Sequence, residues 1–394
     1  MKVLMFGWEF PPFNTGGLGT HCYHLTKALS RRGNRVTFVM PKMGKGIKHD
    51  FLKIVEAEDA RLIEIGSSLC PYIPSFEVAL SPGEGKGGGN LYGKDLFARV
   101  EAYTKLALKA VKNEDCDVIH SHDWMTFRAG IMAKKEKGKP LVVTVHSTEY
   151  DRNPLTPNPW IMHIEWEGMY EANKIITVSN YMKARIMEKY GVPEWKIEVI
   201  YNAVETSEFS GERTTFGTGE KIVLFLGRLA MQKGPDHFLR AAKKVLEKEK
   251  NVRFLIVGTG HMLPQLIDET IELGIADKVT FTGYQDSILE CYKMADLYVM
   301  PSISEPFGIT ALEAMASGVP VIVSKQSGVS EVLKHAMKVD FWDINSMADK
   351  MLGVLKYAPI RGEMVKNGSR EVDRVTWAGI AEKTERLYLS LGGG

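Results

Sequence analysis

Short apolar runs alternate with amphipathic stretches along most of the chain. In the first half "KVLMFGW", "RVTFVMP", "DVIHSHD", "LVVTVHS", "KIITVS" and "IEVIYN" read as strands. Between them, stretches such as "HCYHLTKALSRRG" and "DLFARVEAYTKLALKAV" repeat apolar residues at helical spacing. The second half keeps the rhythm with "KIVLFLGR", "VRFLIVG", "KVTFTG", "LYVMPS" and "VPVIVS". Strands apolar on both faces, alternating with helices, imply parallel sheets covered on both sides. The stretch "NAVETSEFSGERTTFGTGE" (202–220) is polar and aperiodic. It therefore reads as the link between two doubly wound α/β domains, 1–205 and 206–375. Past "VDFWDINSMADKML" the pattern stays helical almost to the terminal "GGG".

In open parallel sheets, ligands bind beyond the carboxyl ends of the strands. That edge is where this sequence keeps its unusual residues, so the two sets of loops predict two equipped walls of a cleft. Gly16, Gly17 and Gly19 in "NTGGLG" let the backbone approach a ligand where a helix starts, although glycine turns are common. "HSHDW" puts His122 and Asp123 at a strand end, with His120 as a core residue of that strand. His146 follows "LVVTV", and Asn202 ends the last strand of the first half, where it caps the linker or faces a ligand. "GRLAMQKG" places Arg228 and Lys233 after a strand. Two cations with no acid nearby in sequence suit a diphosphate, or are simply exposed charges. Gly258 in "GTGHM" and Tyr284 in "TGYQD" follow the next strands. In "SEPFGITALEAMASGVP" (304–320), Glu305 sits in a strand-to-helix loop and Phe307 to Thr310 supply amides near a helix N-terminus. Glu313 lies inside that helix. Such an N-terminus attracts anions, so a carboxylate beside it is either a dipole partner or a functional residue.

Composition narrows the classes. The 394 residues suffice for two cores, and 44% hydrophobic with 25% charged is ordinary for a globular protein. A net charge of +2 gives no argument for nucleic acid or a membrane surface. The basic cluster "AKKEKGK" (133–139) lacks interleaved aromatics. Cys22, Cys70, Cys116 and Cys291 are scattered without metal or redox spacing, which fits a reducing cytoplasm. "MKVLMFGWEFPPF" reads as a first strand rather than a signal peptide, and no run nears the roughly 18 apolar residues of a membrane span. "GEGKGG" (83–88) matches a dinucleotide fingerprint by letter, but no tight strand precedes it. "DCD" (115–117) precedes its strand rather than ending it, and nothing else has metal-ligand spacing. No G-x-S-x-G hydrolase elbow occurs.

The runs "GGLGTHCYHLTKALSRRGNRV", "GRLAMQKG" and "EPFGITALEAMASGVPVI" resemble retaining glycosyltransferases of the GT-B fold, over nearly the whole chain outside 45–95. With "HSHDW" and "WEFPP…GGLG" the chain looks most similar to the glycogen synthase type. The resemblance implies two Rossmann-like domains facing across a deep cleft, and a final helix at about 376–391 crossing back onto the first domain. It also implies a nucleotide-diphosphate sugar held mainly by the C-terminal domain, with a glucan or other carbohydrate acceptor approaching from the N-terminal one. By the resemblance, Glu313 binds ribose hydroxyls and Glu305 lies against the transferred sugar. Amides of Gly308, Ile309 and Thr310 hold sugar hydroxyls and a phosphate, while Arg228 and Lys233 stabilise the diphosphate in place of a metal. His146 contacts the sugar's 6-hydroxyl region. Asp123 joins the catalytic set; Gly16, Gly17, Gly19, Gly258, Tyr284 and Phe307 join the donor site; His122 and Asn202 join the acceptor side. No metal or other cofactor, nucleic acid or membrane span is expected, and the oligomeric state is left open. Asn14 departs from the lysine that bacterial-type glycogen and starch synthases carry before "TGGL", which bears on an ADP-glucose preference. The expected activity is glucosyl transfer to an α-1,4-glucan end. Rival readings are a related transferase acting on a small sugar, lipid or cell-surface glycan, and a non-catalytic nucleotide-sugar binder.

Overall fold

Apolar runs become strands here because residues buried on both faces need a sheet with helices above and below it. The computed structural model describes residues 1–11, 16–41, 50–51, 53–57, 96–215, 217, 219–285 and 287–392, without the side chains of 54–57. Asn14, Cys70 and the "GEGKGG" segment lie outside the described residues. The chain divides into two compact units, Met1–Asn202 with Trp377–Gly394, and Ala203–Thr376.

Among the described residues, the first unit is built on a seven-stranded parallel sheet. Its strands are β1 (Lys2–Phe6), β2 (Arg35–Pro41), β3 (Lys53–Ala57), β4 (Val118–His122), β5 (Leu141–Val145), β6 (Lys174–Thr177) and β7 (Ile197–Val199). The order β3-β2-β1-β4-β5-β6-β7 is doubly wound, so the chain reverses direction across the sheet between β1 and β4. Every residue of β4 and β5 is buried, including His120 and His122, which share one face. The helix Trp377–Leu391 belongs to this unit and packs on the helix Gly17–Arg31. Glu385 of that helix accepts from Asn34 at 2.7 Å and pairs with Arg32 at 2.7 Å.

The second unit carries a six-stranded parallel sheet of β8 (Lys221–Leu226), β9 (Val252–Val257), β10 (Val279–Gly283), β11 (Leu297–Met300), β12 (Val321–Ser324) and β13 (Met337–Val339). Its order, β10-β9-β8-β11-β12-β13, puts the switch point between β8 and β11. The helix Pro235–Lys248 buries Phe238, Leu239, Ala242, Val245 and Leu246, one apolar stripe, beside the helix Ile344–Lys356 in a single core. Two strands escaped the sequence pattern. β3 lies in the stretch outside the recognisable similarity, and β13 ("MKV") has a lysine at the centre of its three residues, so it makes no apolar run. Among the described residues no helix is long and apolar enough to cross a membrane.

Candidate active site

The loops after β8 and β11 emerge at the switch point of the second sheet, where neighbouring loops diverge and leave room for a ligand. Arg228 and Lys233 lie on the first of these loops and Glu305 on the second. Lys233 is not the lone cation its sequence surroundings suggest. Its Nζ donates to Glu305 Oε2 at 2.5 Å, across 72 residues of sequence, and Ser302 Oγ donates to the same oxygen at 3.2 Å. Glu305 is buried, and its backbone is fixed as well: its N–H donates to Gln326 O at 3.0 Å, and its carbonyl accepts from Gly328 at 2.9 Å. Arg228, by contrast, is exposed.

The helix Ile309–Ala316 starts at Gly308 without a side-chain cap. Gly308 has φ of 105°, and a Cβ there would meet Met300 Cε at 2.8 Å and Glu305 Cγ at 3.2 Å, so only glycine brings the helix amides this close to Glu305. One turn on, Glu313 is buried and Tyr292 donates to its Oε2 at 2.9 Å. Burial pushes the Glu313 carboxyl up to about 7, against the opposing Tyr292 hydrogen bond. Tyr298 donates to Thr310 Oγ1 at 2.8 Å, fixing the first turn. Phe307 is buried and Ile309 half-buried, whereas Tyr284 stands 68% exposed after β10. Gly258, after β9, has φ of 132°, and a Cβ on it would lie 2.0 Å from Gly227 O, so the loops after β8 and β9 touch backbone to backbone.

The first unit gathers a different chemistry at the corresponding strand ends. His21 on the helix Gly17–Arg31, His122 at the end of β4 and His146 after β5 place ligand-capable atoms within 4.8 Å of one another. His21 Nδ1 lies 2.7 Å from Asn202 Oδ1, and His122 Nδ1 lies 3.0 Å from His146 Nε2. The His21 ring also meets the edge of Trp377, at 5.4 Å between centroids. Burial holds His21 down to about 4 and drives His122 and His146 well below their ordinary value, so all three rings are neutral at pH 7. His120 is a satisfied core residue, bonded to Tyr388 at 2.6 Å and Thr144 at 2.7 Å.

Asp123 takes a φ of 59°, a costly conformation for a non-glycine residue. Its Oδ1 accepts from the backbone N–H of His146 at 2.7 Å, so the carboxylate holds the loop that carries His146. Burial raises Asp123 to about 7, against the lowering effect of Arg152 and of the His146 amide. Beneath that loop Arg152 donates to Ser147 O at 2.9 Å and pairs with Glu149 and Glu165, all three side chains buried. Gly16 precedes the helix that begins at Gly17 and contains Gly19.

Sequence reasoning named His122, His146 and Asn202 but passed over His21, although the helical step from Gly17 to His21 puts both on one face. It also missed Ser302, Tyr292 and Tyr298, hydroxyl residues whose partners are fixed only by folding.

The glycosyl transferases group 1 model matches residues 207–371, and the glycosyltransferase family 4 model matches 15–208. An uncharacterized glycosyltransferase of Methanocaldococcus jannaschii is 32% identical over 98% of this chain and 98% of its own. The chain belongs to the group 1 glycosyltransferases. A glycogen synthase of Mycobacterium tuberculosis is 27% identical to this glycosyltransferase, over 99% of this chain and 95% of its own. The sucrose-phosphate synthase of Thermosynechococcus elongatus shares its fold, with a TM-score of 0.78 at 19% identity, covering 99% of this chain and 98% of the other. This glycosyltransferase therefore has the two-unit α/β architecture of the GT-B fold.

Proposed function

We propose that the protein is a retaining hexosyltransferase that moves glucose from a nucleotide-diphosphate sugar to the non-reducing end of an α-1,4-glucan. The observation that carries this reading is Glu305, buried with its carboxylate between Lys233 and Ser302, one loop ahead of the helix that presents Glu313. A carboxylate fixed in this way suits a sugar hydroxyl and the positive charge that develops at an anomeric carbon. The free oxygen of Glu313 accepts from the donor ribose hydroxyls, and the amides of Gly308, Ile309 and Thr310 hold sugar hydroxyls and a phosphate. Arg228 and Lys233 stabilise the departing diphosphate, and His146 contacts the transferred sugar near its 6-hydroxyl.

Bond making and breaking take place on one face of the sugar. The bond from anomeric carbon to phosphate oxygen breaks, the acceptor oxygen bonds to that carbon, and the acceptor's proton passes to the leaving phosphate. Asp123 then serves as a positioning residue for His146, through the amide it holds. A panel of UDP-, ADP- and GDP-sugars, with and without glycogen and with excess chelator, tests the reading by nucleotide release. Glycogen-dependent release from a nucleotide-glucose that survives chelation supports it; release that needs added magnesium or manganese, or none above hydrolysis with any donor, overturns it.

A further inference from the structure

The histidine cluster contains more than a sugar contact requires. His21 and His122 each leave Nε2 buried and without a hydrogen-bond partner among the described residues. A buried unpaired imidazole nitrogen is costly, and two of them in one cluster point to a ligand that fills both deficits. Asn202 sharpens the argument. With its Oδ1 accepting from His21 Nδ1–H at 2.7 Å, the lone pair of His21 must sit on Nε2, the tautomer that binds metal. This is the usual outer support of a metal-bound histidine: the second ring nitrogen is tied down so that the first faces the ion.

We propose that His21, His122 and His146 form a three-histidine site for Zn2+ or a similar borderline transition-metal ion. Three neutral imidazoles match the ligand set of three-histidine zinc sites, whereas Mg2+ and Ca2+ favour oxygen ligands. The distances fit. An ion about 2.0–2.1 Å from each nitrogen sets them about 3.3 Å apart in a tetrahedron. One ligand-capable nitrogen from each of the three rings already falls within 4.8 Å of the other two, so small ring rotations bring them to that spacing. Sequence spacing conceals the site, because its ligands come from a helix, a strand end and a loop far apart in the chain. Its consequence for turnover rests on the function proposed above: an ion bound to His146 withdraws that ring from the sugar, so Zn2+ inhibits transfer and chelator restores it.

Tag-free protein stripped with chelator and titrated with Zn2+ and Co2+ tests the site directly. The expected result is one saturable equivalent, with a tetrahedral Co2+ spectrum that Zn2+ displaces. Losing an outer-shell partner typically costs about 10- to 100-fold in affinity, which is the expectation for Asn202→Ala, and loss of a ligand in His21→Ala or His122→Ala costs more. Circular dichroism checks folding, and His146→Ala, the least buried position, serves if either buried variant fails to fold. No stoichiometric uptake, an octahedral Co2+ spectrum, or uptake indifferent to these histidines overturns the proposal. If Zn2+ binds through the three histidines and turnover is unaffected, the metal site stands and the assignment of His146 to the sugar falls.

Discussion

Replacing Lys233 with methionine separates the two roles this side chain holds, because its pairing with Glu305 affects stability and its proposed pairing with diphosphate affects turnover. Methionine keeps the length and apolar stem of lysine but strips the Glu305 carboxylate of its Lys233 donor, leaving it the Ser302 hydroxyl. Breaking a fully buried pair costs about 3–5 kcal/mol. Here the Lys233 side chain is 23% exposed and that of Glu305 9%, so water compensates in part, and the cost falls to about 1–3 kcal/mol. For a unit of this size that corresponds to a melting temperature lower by roughly 2–12 °C. A cation stabilising a leaving diphosphate adds about 100- to 1000-fold to the rate. Lys233→Met should therefore lose stability by calorimetry and at least about 100-fold in kcat by nucleotide release. Adding Glu305→Gln should restore the melting temperature, because the stranded charge is gone, yet leave turnover low. A native melting temperature together with near-native kcat in Lys233→Met would refute both halves of the reasoning.

Arg228→Ala offers the contrast: Arg228 is exposed, so the melting temperature should hold while kcat falls at least about 100-fold. Near-normal turnover would return Arg228 to the surface. Gly258→Ala drives a Cβ to 2.0 Å from a backbone oxygen at a φ of 132°, adding a clash to the about 1–3 kcal/mol that such a conformation costs; a measurable drop in melting temperature is expected, and a native melt would count against this loop geometry. With Glu313 raised to about 7, its ionised and better-accepting form grows above that pH. Calorimetric affinity for the nucleotide sugar should accordingly tighten as pH rises through about 7, and Glu313→Gln should bind more weakly with a flat profile. The histidines act with the opposite polarity on stability. His21 and His120 are held down to about 4 and about 3, so the unfolded chain takes up their protons first as pH falls below the ordinary histidine value. Stability contributed above about 6.5 should be lost progressively toward pH 4, with Asp123, raised to about 7, opposing part of the loss. A melting temperature constant from pH 7 to 4.5 would exclude this.

Much of the architecture was written in local pattern. Eleven of the thirteen strands among the described residues show as apolar runs, because a strand buried on both faces must be apolar wherever the sheet lies. The rule that ligands sit beyond carboxyl strand ends then singled out the loops of Glu305, Arg228, Lys233, His122 and His146 before any pairing was known. Folding alone decided which of these groups meet. Lys233 and Glu305 are separated by 72 residues and His21 and Asn202 by 181. Neither pair has a signature in spacing, since each contact depends on which strands the sheet order makes neighbours. The same limit hid the three-histidine cluster: a metal motif is visible in sequence when one helix or hairpin carries its ligands, and here a helix, a strand end and a loop each supply one. Burial was equally invisible, and burial is what keeps those rings neutral and lifts Glu313 and Asp123 to about 7. Sequence fixes which groups are available; the packed sheet sets their partners and their charge, because distance and solvent exposure are properties of the fold.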